Sequence, residues 1–303
     1  MKTEPLADYS ARDARIRLQT YSPVRRLDGL PEHLFTAYWR DIHGPLCSRL
    51  PGLGFYVQHH FSRIYRANLW PIPEGVKPME VVLDGMVEIG FASVADAQRF
   101  IEASPILFGD ELNLFGHDLA YNLPNGSVTY VDRQVDDAPN GPDKLHRLHL
   151  HLDGGPGDAF RAWAQEFAET LAADRAVEKL RLHLPDPYRN DAPSPPSPGV
   201  NHYAEEDRRT LAMIEVGFAT ALSARAFFES TTYLATVDGL AKHVRTLGAF
   251  LVTGVYTFVR DGQMTTAGLR GSRAAEIIET IGALNHLTPE VTAIFTPQGS
   301  WPF

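Results

Sequence analysis

Two nine-residue stretches, GMVEIGFAS at Gly85–Ser93 and AMIEVGFAT at Ala212–Thr220, constrain this chain more than any other feature. Five positions are identical and the rest exchange like for like, at a step of 127 residues in a chain of 303. Self-similarity at a fixed distance marks a repeated unit, and the same order of elements reads around each copy. In the first half, strand patterns at 15–21, 54–61, 85–93 and 127–131 alternate with helical patterns at 31–49 and 94–103. In the second, strand patterns at 145–152, 177–184, 212–220 and 249–259 alternate with helices at 158–173 and 222–229. Each half is β-α-β-β-α-β, the ferredoxin-like unit, with both helices on one face of an antiparallel sheet. The bare face must be covered, and two copies can cover each other. The expected fold is therefore α+β: two ferredoxin-like repeats forming a pseudo-dimeric α+β barrel, sheets inside and helices outside.

The polar run DRQVDDAPNGPDK at 132–144 divides a first repeat, 1–135, from a second, 136–303. Residues beyond Asp261, with a helical pattern at 272–285, form a C-terminal appendage that the repeat does not explain. Proline-rich insertions at 68–78 and 184–199 interrupt both halves between the second and third strands. Their matched placement makes them elaborated loops rather than interdomain linkers.

Strand alternation assigns faces. Val87, Ile89 and Phe91, with Ile214, Val216 and Phe218, form apolar faces for the helices, which sends Glu88 and Glu215 into the barrel. The same rule places Arg147, His149, His151 and Asp153 inside, with Lys179, Arg181 and His183. A matching register in the first half adds Tyr56, Gln58 and His60, and Arg15, Arg17, Gln19 and Tyr21 from the opening strand. Such groups are expensive to bury unless paired or hydrated. One reading is a structural network that fixes how the sheets meet. The other is a ligand or catalytic cavity, since a glutamate beside a histidine in a partly apolar space makes a general acid/base pair. On that reading His60, Glu88, His183 and Glu215 are catalytic candidates, and Tyr56, Gln58, His149, His151 and Arg181 bind substrate. A divalent metal held by His149, His151, His183 and Glu215 is the alternative, these being suitable ligand types.

Charge and composition narrow the classes. Lys and Arg number 28 against 37 Asp and Glu, a net charge of −9 without a basic run, which argues against nucleic acid as partner. The single cysteine, Cys47, excludes an internal disulfide and zinc sites built from several thiolates. No apolar run approaches the ~20 residues of a membrane span, and the polar N-terminus has no signal-peptide core. A cytoplasmic protein without a membrane partner is expected. GxGxxG, P-loop and HExxH motifs are absent. DGGPGDA at 153–159 reads as a tight βα turn with Asp158 near the helix start. His43, ending the first helical pattern, suits a cation at a helix C-terminus.

The first half also resembles the EthD-like family of the dimeric α/β-barrel superfamily. The resemblance rests on LFTAYWRDIHGPLCSRLPGLGFYVQHH at 34–60, with His43-Gly44-Pro45 and a PGL-x-x-Y pattern reaching Tyr56. It continues through DGMVEIGFASVADAQRFIEASP at 84–105 and DELNLF at 110–115. The second half lacks a His-Gly-Pro; Glu166–Thr170 stands where it would fall. Members of that superfamily include cofactor-independent lyases, dehydratases and cyclases acting on aromatic or polyketide compounds, oxygenases, and haem enzymes with fused repeats. The resemblance implies a pocket between sheet and helices, with His43 as leading acid/base and Glu88 and His60 as partners. It implies an enzyme of the lyase, dehydratase, decarboxylase or cyclase type, acting on a small, largely apolar substrate without a cofactor. The alternatives are a haem- or metal-dependent oxidoreductase of the same fold and a non-catalytic small-molecule-binding protein. The assembly is expected to be a monomer with an internal pseudo-dimer, or a homodimer.

Overall fold

The computed structural model describes residues 7–64, 69–155 and 157–296. Ten strands carry the fold: β1 Leu18–Arg26, β2 Phe55–Phe61, β3 Gly85–Phe91, β4 Phe115–Asp118, β5 Tyr121–Leu123, β6 Val128–Asp132, β7 His146–Asp153, β8 Val177–His183, β9 Leu211–Phe218 and β10 Thr246–Arg260. They form one sheet in the order β4–β1–β3–β2–β10–β7–β9–β8–β6, with β5 also on β1. An order of fourth, first, third and second strand thus occurs twice, as β4–β1–β3–β2 and as β10–β7–β9–β8. The fold is α+β, a barrel of antiparallel sheet with helices on its outer faces.

The seams explain how the barrel holds together. Thr246 to Leu251 of β10 pair with β7, and Val252 to Val259 of the same strand pair with β2. On the opposite side β5 pairs with β1, and β6, a few residues later, pairs with β8. Each fourth strand therefore begins in its own half and ends on the other. The last strand of the first half is more than the 127–131 expected, since β4 and β5 precede it.

The helices used below are α1 Glu32–Tyr38, α2 Gly44–Ser48, α3 Val94–Ala103, α4 Pro105–Glu111, α5 Asp158–Ala172, α6 Ala221–Phe228 and α7 Ser272–Ile281. A π-helical turn, Trp39–His43, joins α1 to α2. Ser93 and Thr220, which end the two nine-mers, are the N-caps of α3 and α6, accepting from the Asp96 and Ser223 amides. Leu148, Leu150, Ile214 and Val216 pack under α5 and α6, while Val87 and Phe91 pack with Phe100 of α3 and Leu107 of α4. A third cluster, including Tyr21, Val57, Met86 and Met213, fills the lumen between the sheets.

Two readings of register are corrected. Arg15 and Arg17 precede β1 and are exposed, Arg15 pairing with Asp261 at 3.2 Å, because the strand starts only at Leu18. In β2, Val57 lies opposite Glu88, so Phe55, Val57, His59 and Phe61 face the lumen. Tyr56, Gln58 and His60 face the helices instead. Both faces of β2 are buried throughout, so polarity alone gives no direction, and pairing to β3 sets the register.

The C-terminal segment packs against the first half. Ser48 Oγ donates to the Gly268 carbonyl at 2.9 Å, and the Arg273 amide donates to Asp41 Oδ1 at 2.8 Å. The two insertions cross over as well. Trp70 is buried beside Phe227, Phe228 and Tyr233, and the Ser194 carbonyl accepts from the Ala120 amide at 2.8 Å. Asn68, at the start of the first insertion, lies outside the described residues.

Candidate active site

A cavity of about 310 Å³ opens between the first sheet and its helices. Its walls are mostly apolar, from Trp39, Val87, Ile89, Phe91, Phe100 and Phe115. His43 lines it, and the His-Gly-Pro motif accounts for its placement. Pro45 has no N–H to give to the Asp41 carbonyl and crowds it. The helix widens there, the Gly44 amide bonding back to the Trp39 carbonyl in a π turn, a device common at functional sites. Gly44 must lack a side chain, since a Cβ would sit 2.4 Å from the Phe258 ring. His43 is then held between Phe115, edge-on at 5.6 Å, and Asp110, whose Oδ2 lies 2.8 Å from His43 Nδ1.

A carboxylate only accepts, so His43 Nδ1 donates, and the neutral ring keeps its lone pair on Nε2. Asp110 also accepts from the Tyr38 hydroxyl at 2.5 Å. Burial pushes the Asp110 carboxyl up, but the bonds from His43 and Tyr38 outweigh it and hold the group below its ordinary value. An ionised aspartate therefore orients a histidine at the wall of an apolar space. Nearby Cys47 is buried, and burial raises its thiol far above the ordinary range, so it stays protonated.

Of the residues expected to share this site, Tyr56 lines the cavity and His60 and Glu88 do not. His60 lies under the indole of Trp39, stacked at 4.5 Å, and burial lowers it to about 3. Gln58 is a support, donating to the Trp39 carbonyl at 3.1 Å and the Tyr56 hydroxyl at 2.8 Å. Asp110 had a signal in the DELNLF segment; its role comes only from the fold, which brings α4 beside the π turn.

Glu88, His183, Glu215, His149, His151 and Arg181 meet in the lumen, apart from the cavity. Tyr21 OH lies 2.9 Å from both His149 Nδ1 and His151 Nε2, and His149 Nε2 lies 2.6 Å from His59 Nδ1. Ser127 Oγ is 2.8 Å from His183 Nδ1 and donates to Gln19 at 2.7 Å. Glu88 accepts from Gln19 and, at 2.7 Å, from Arg181. Glu215 accepts from Arg147 at 2.5 Å, and Arg147 also meets Asp143 at 2.8 Å. Burial pushes Glu215 up, yet Lys179 and Arg147 outweigh it and hold the carboxyl well below its usual value.

Donor atoms of Glu88, His183 and Glu215 lie within 4.8 Å of one another, and their types suit a divalent cation. The metal set expected from sequence does not assemble: His149 and His151 are turned to Tyr21. Both carboxylates already carry guanidinium partners, and Lys179 adds a third positive charge beside Glu215. This donor set fits a charge-balanced buried network better than a metal site. The neighbouring lumenal pocket, beside His59, Glu88 and Glu215, has a volume of about 70 Å³.

Among the described residues, the corresponding helix side of the second half is a packed apolar core. Helix α5 runs without a π turn and presents Phe160, Trp163, Phe167 and Leu171 to a filled core. No described helix is long and apolar enough to cross a membrane.

Comparison with known proteins agrees with this architecture. No curated protein matches the sequence. Among solved structures, a "putative monooxygenase" from Fusobacterium nucleatum has a TM-score of 0.50 at 8% identity, over 82% of this chain and 96% of that one. Another so described, from Lactobacillus acidophilus, has a TM-score of 0.46 at 10% identity, over 79% and 95%. A mutant chlorite dismutase from Candidatus Nitrospira defluvii has 0.39 at 11% identity, over 78% and 92%. Residues 27–108, which hold the His-Gly-Pro turn and most of the cavity wall, match the EthD domain family. Residues 27–108 are thus similar to the EthD domain family, and the chain as a whole shares its fold with the first of these structures.

Proposed function

We propose that the helix-side cavity is the active site of a cofactor-independent enzyme moving a proton on a small, largely apolar, aromatic or polyketide-like molecule. The observation that carries this reading is the His43–Asp110 pair at the wall of an otherwise apolar cavity. His43 Nε2 takes a proton from an acidic C–H or O–H of the substrate, and the electron pair stays on the substrate. Asp110 keeps the required tautomer and balances the imidazolium that forms, the orienting role that sequence had given to Glu88. In an elimination, the same proton returns to the departing hydroxyl, which leaves as water. Dehydration and cyclisation share this first step. The lumenal Glu–Arg–His network has the support role of fixing one sheet against the other.

The test follows exchange of the acidic ring-methylene protons of 2-tetralone, a compact bicyclic ketone, in deuterated water by NMR. The protein is expected to accelerate exchange, and His43→Gln to remove about 100-fold or more of that acceleration. An unchanged rate in His43→Gln sinks the assignment. A Soret band or stoichiometric iron in the purified protein sinks its cofactor-independent part.

A further inference from the structure

Two more carboxyl groups line the cavity and have no part in the His43–Asp110 pair: Glu111, at the end of α4, and Asp118, at the end of β4. Both are buried, 6% and 5% exposed. Among the described residues, Glu111 Oε2 and Asp118 Oδ1 have no hydrogen-bond partner, and no Lys or Arg forms an ion pair with either group. The backbone around Asp118 is fixed, its amide donating to the Asn201 carbonyl at 3.1 Å and its carbonyl accepting from His202 Nδ1 at 2.7 Å. A buried carboxyl without a counter-ion is costly when ionised and is a hydrogen-bond donor when neutral.

We propose that Asp118 and Glu111 form a donor end of the cavity, which selects neutral ligands carrying a carbonyl or similar oxygen acceptor and rejects carboxylates. The inference rests on the cavity being the ligand site, and it deepens that reading by naming the substrate's polar group. Burial, and then the proximity of Glu111, push Asp118 well above the ordinary carboxyl range. Burial likewise raises Glu111, although Ser197, then His43 and His202, draw it partway back. An apolar wall, a base and a donor end together suit an aromatic ketone: as His43 removes a proton, charge flows to the oxygen that the carboxyl groups hold.

Three probes of similar shape test the assignment: 2-acetonaphthone, 2-ethylnaphthalene and 2-naphthoate, titrated against the full chain by calorimetry. The ketone is expected to bind at least tenfold more tightly than the hydrocarbon, and naphthoate more weakly than either. Asp118→Asn, which keeps an amide donor, is expected to preserve the ketone preference; Asp118→Leu is expected to lose it while hydrocarbon binding holds or improves. Glu111→Gln serves as the same control on the second carboxyl. Equal binding of ketone and hydrocarbon, or a preference unmoved by Asp118→Leu, overturns the donor end alone. Binding of none of the three overturns the cavity as an aromatic-ligand site, and the donor end with it. His43→Gln is expected to leave the ketone preference intact while abolishing exchange, which separates failure of this inference from failure of the catalytic one.

Discussion

The indole of Trp70 sits edge-on to the ring of Phe228, centroids 5.0 Å apart, joining two parts of the chain distant in sequence. The 127-residue step between the nine-mers relates Phe91, Phe100 and Ile101, on the cavity wall, to Phe218, Phe227 and Phe228. Trp70 packs against Phe227 and Phe228, so it fills on one side the space that stays open on the other. Ser194 to Pro196 of the second insertion only rim the first cavity.

Trp70→Ala should therefore destabilise the fold by about 3–5 kcal/mol, the usual cost of removing a buried aromatic. Urea denaturation checks the loss. Calorimetry should find two equivalents of 2-acetonaphthone bound instead of one. A stability loss under about 1 kcal/mol with unchanged stoichiometry would show that the neighbours close over the gap.

Gly44→Ala tests the account of the His-Gly-Pro turn. The added methyl meets the Phe258 ring, and such overpacking typically costs about 1–3 kcal/mol. Because the strain falls beside His43, Tm and 2-tetralone exchange should drop together. A variant with a lower Tm and full exchange activity would separate the turn from the base.

Acid stability reports on the lumen. Burial lowers His149 and His151 to about 3, and lowers His59 and His183 well below the ordinary value. These rings are neutral in the folded protein, while in the unfolded chain they take up protons near pH 6.5. Their contribution is therefore complete above about pH 6.5 and is lost as pH falls toward 3. Glu88, Glu111 and Asp118, raised by burial, act with the opposite sign. The difference between wild type and His151→Gln cancels them. Its slope should approach about 1.4 kcal/mol per pH unit below pH 6, with the wild type losing more. A flat difference curve would mean that His151 is charged in the fold.

Arg147 and Glu215 are both 2% exposed and bonded to each other. Replacing Glu215 leaves the buried Arg147 with Asp143 alone, so Glu215→Gln should cost about 3 kcal/mol, the low end for a broken buried pair. The double variant Arg147→Met/Glu215→Met should recover most of that. Additive losses in the double variant would remove the pair as the organising contact of this sheet.

The sequence carried the order of elements because alternation and caps are local: Leu148, Leu150, Ile214 and Val216 declare their face by period alone, and Ser93 and Thr220 mark where the next helices start. Glu88 and Glu215 were placed in the lumen on the same logic. His60 was placed there too and belongs on the helix side, because β2 is buried on both faces and only its pairing with β3 tells Tyr56 from Val57. The cavity partners of His43 were hidden for another reason. Asp110, Glu111 and Asp118 come from α4 and β4 and meet the π turn only through tertiary packing, for which no spacing rule exists. The crossing of the insertions was equally illegible, since proline content marks a loop without giving its destination.

The long strand β10 has a consequence for how the chain is made. Its distal half supplies, among the described residues, the strand beside β2 on that edge, yet it is separated from β2 by nearly two hundred residues of synthesis. Until Val252 to Val259 leave the ribosome, the Phe55–Phe61 edge stands open, apolar on its lumenal side and ready to pair with any other strand. The early part of this protein is thus a nascent chain waiting for its own end, and slow translation of the second half prolongs the interval in which it can aggregate.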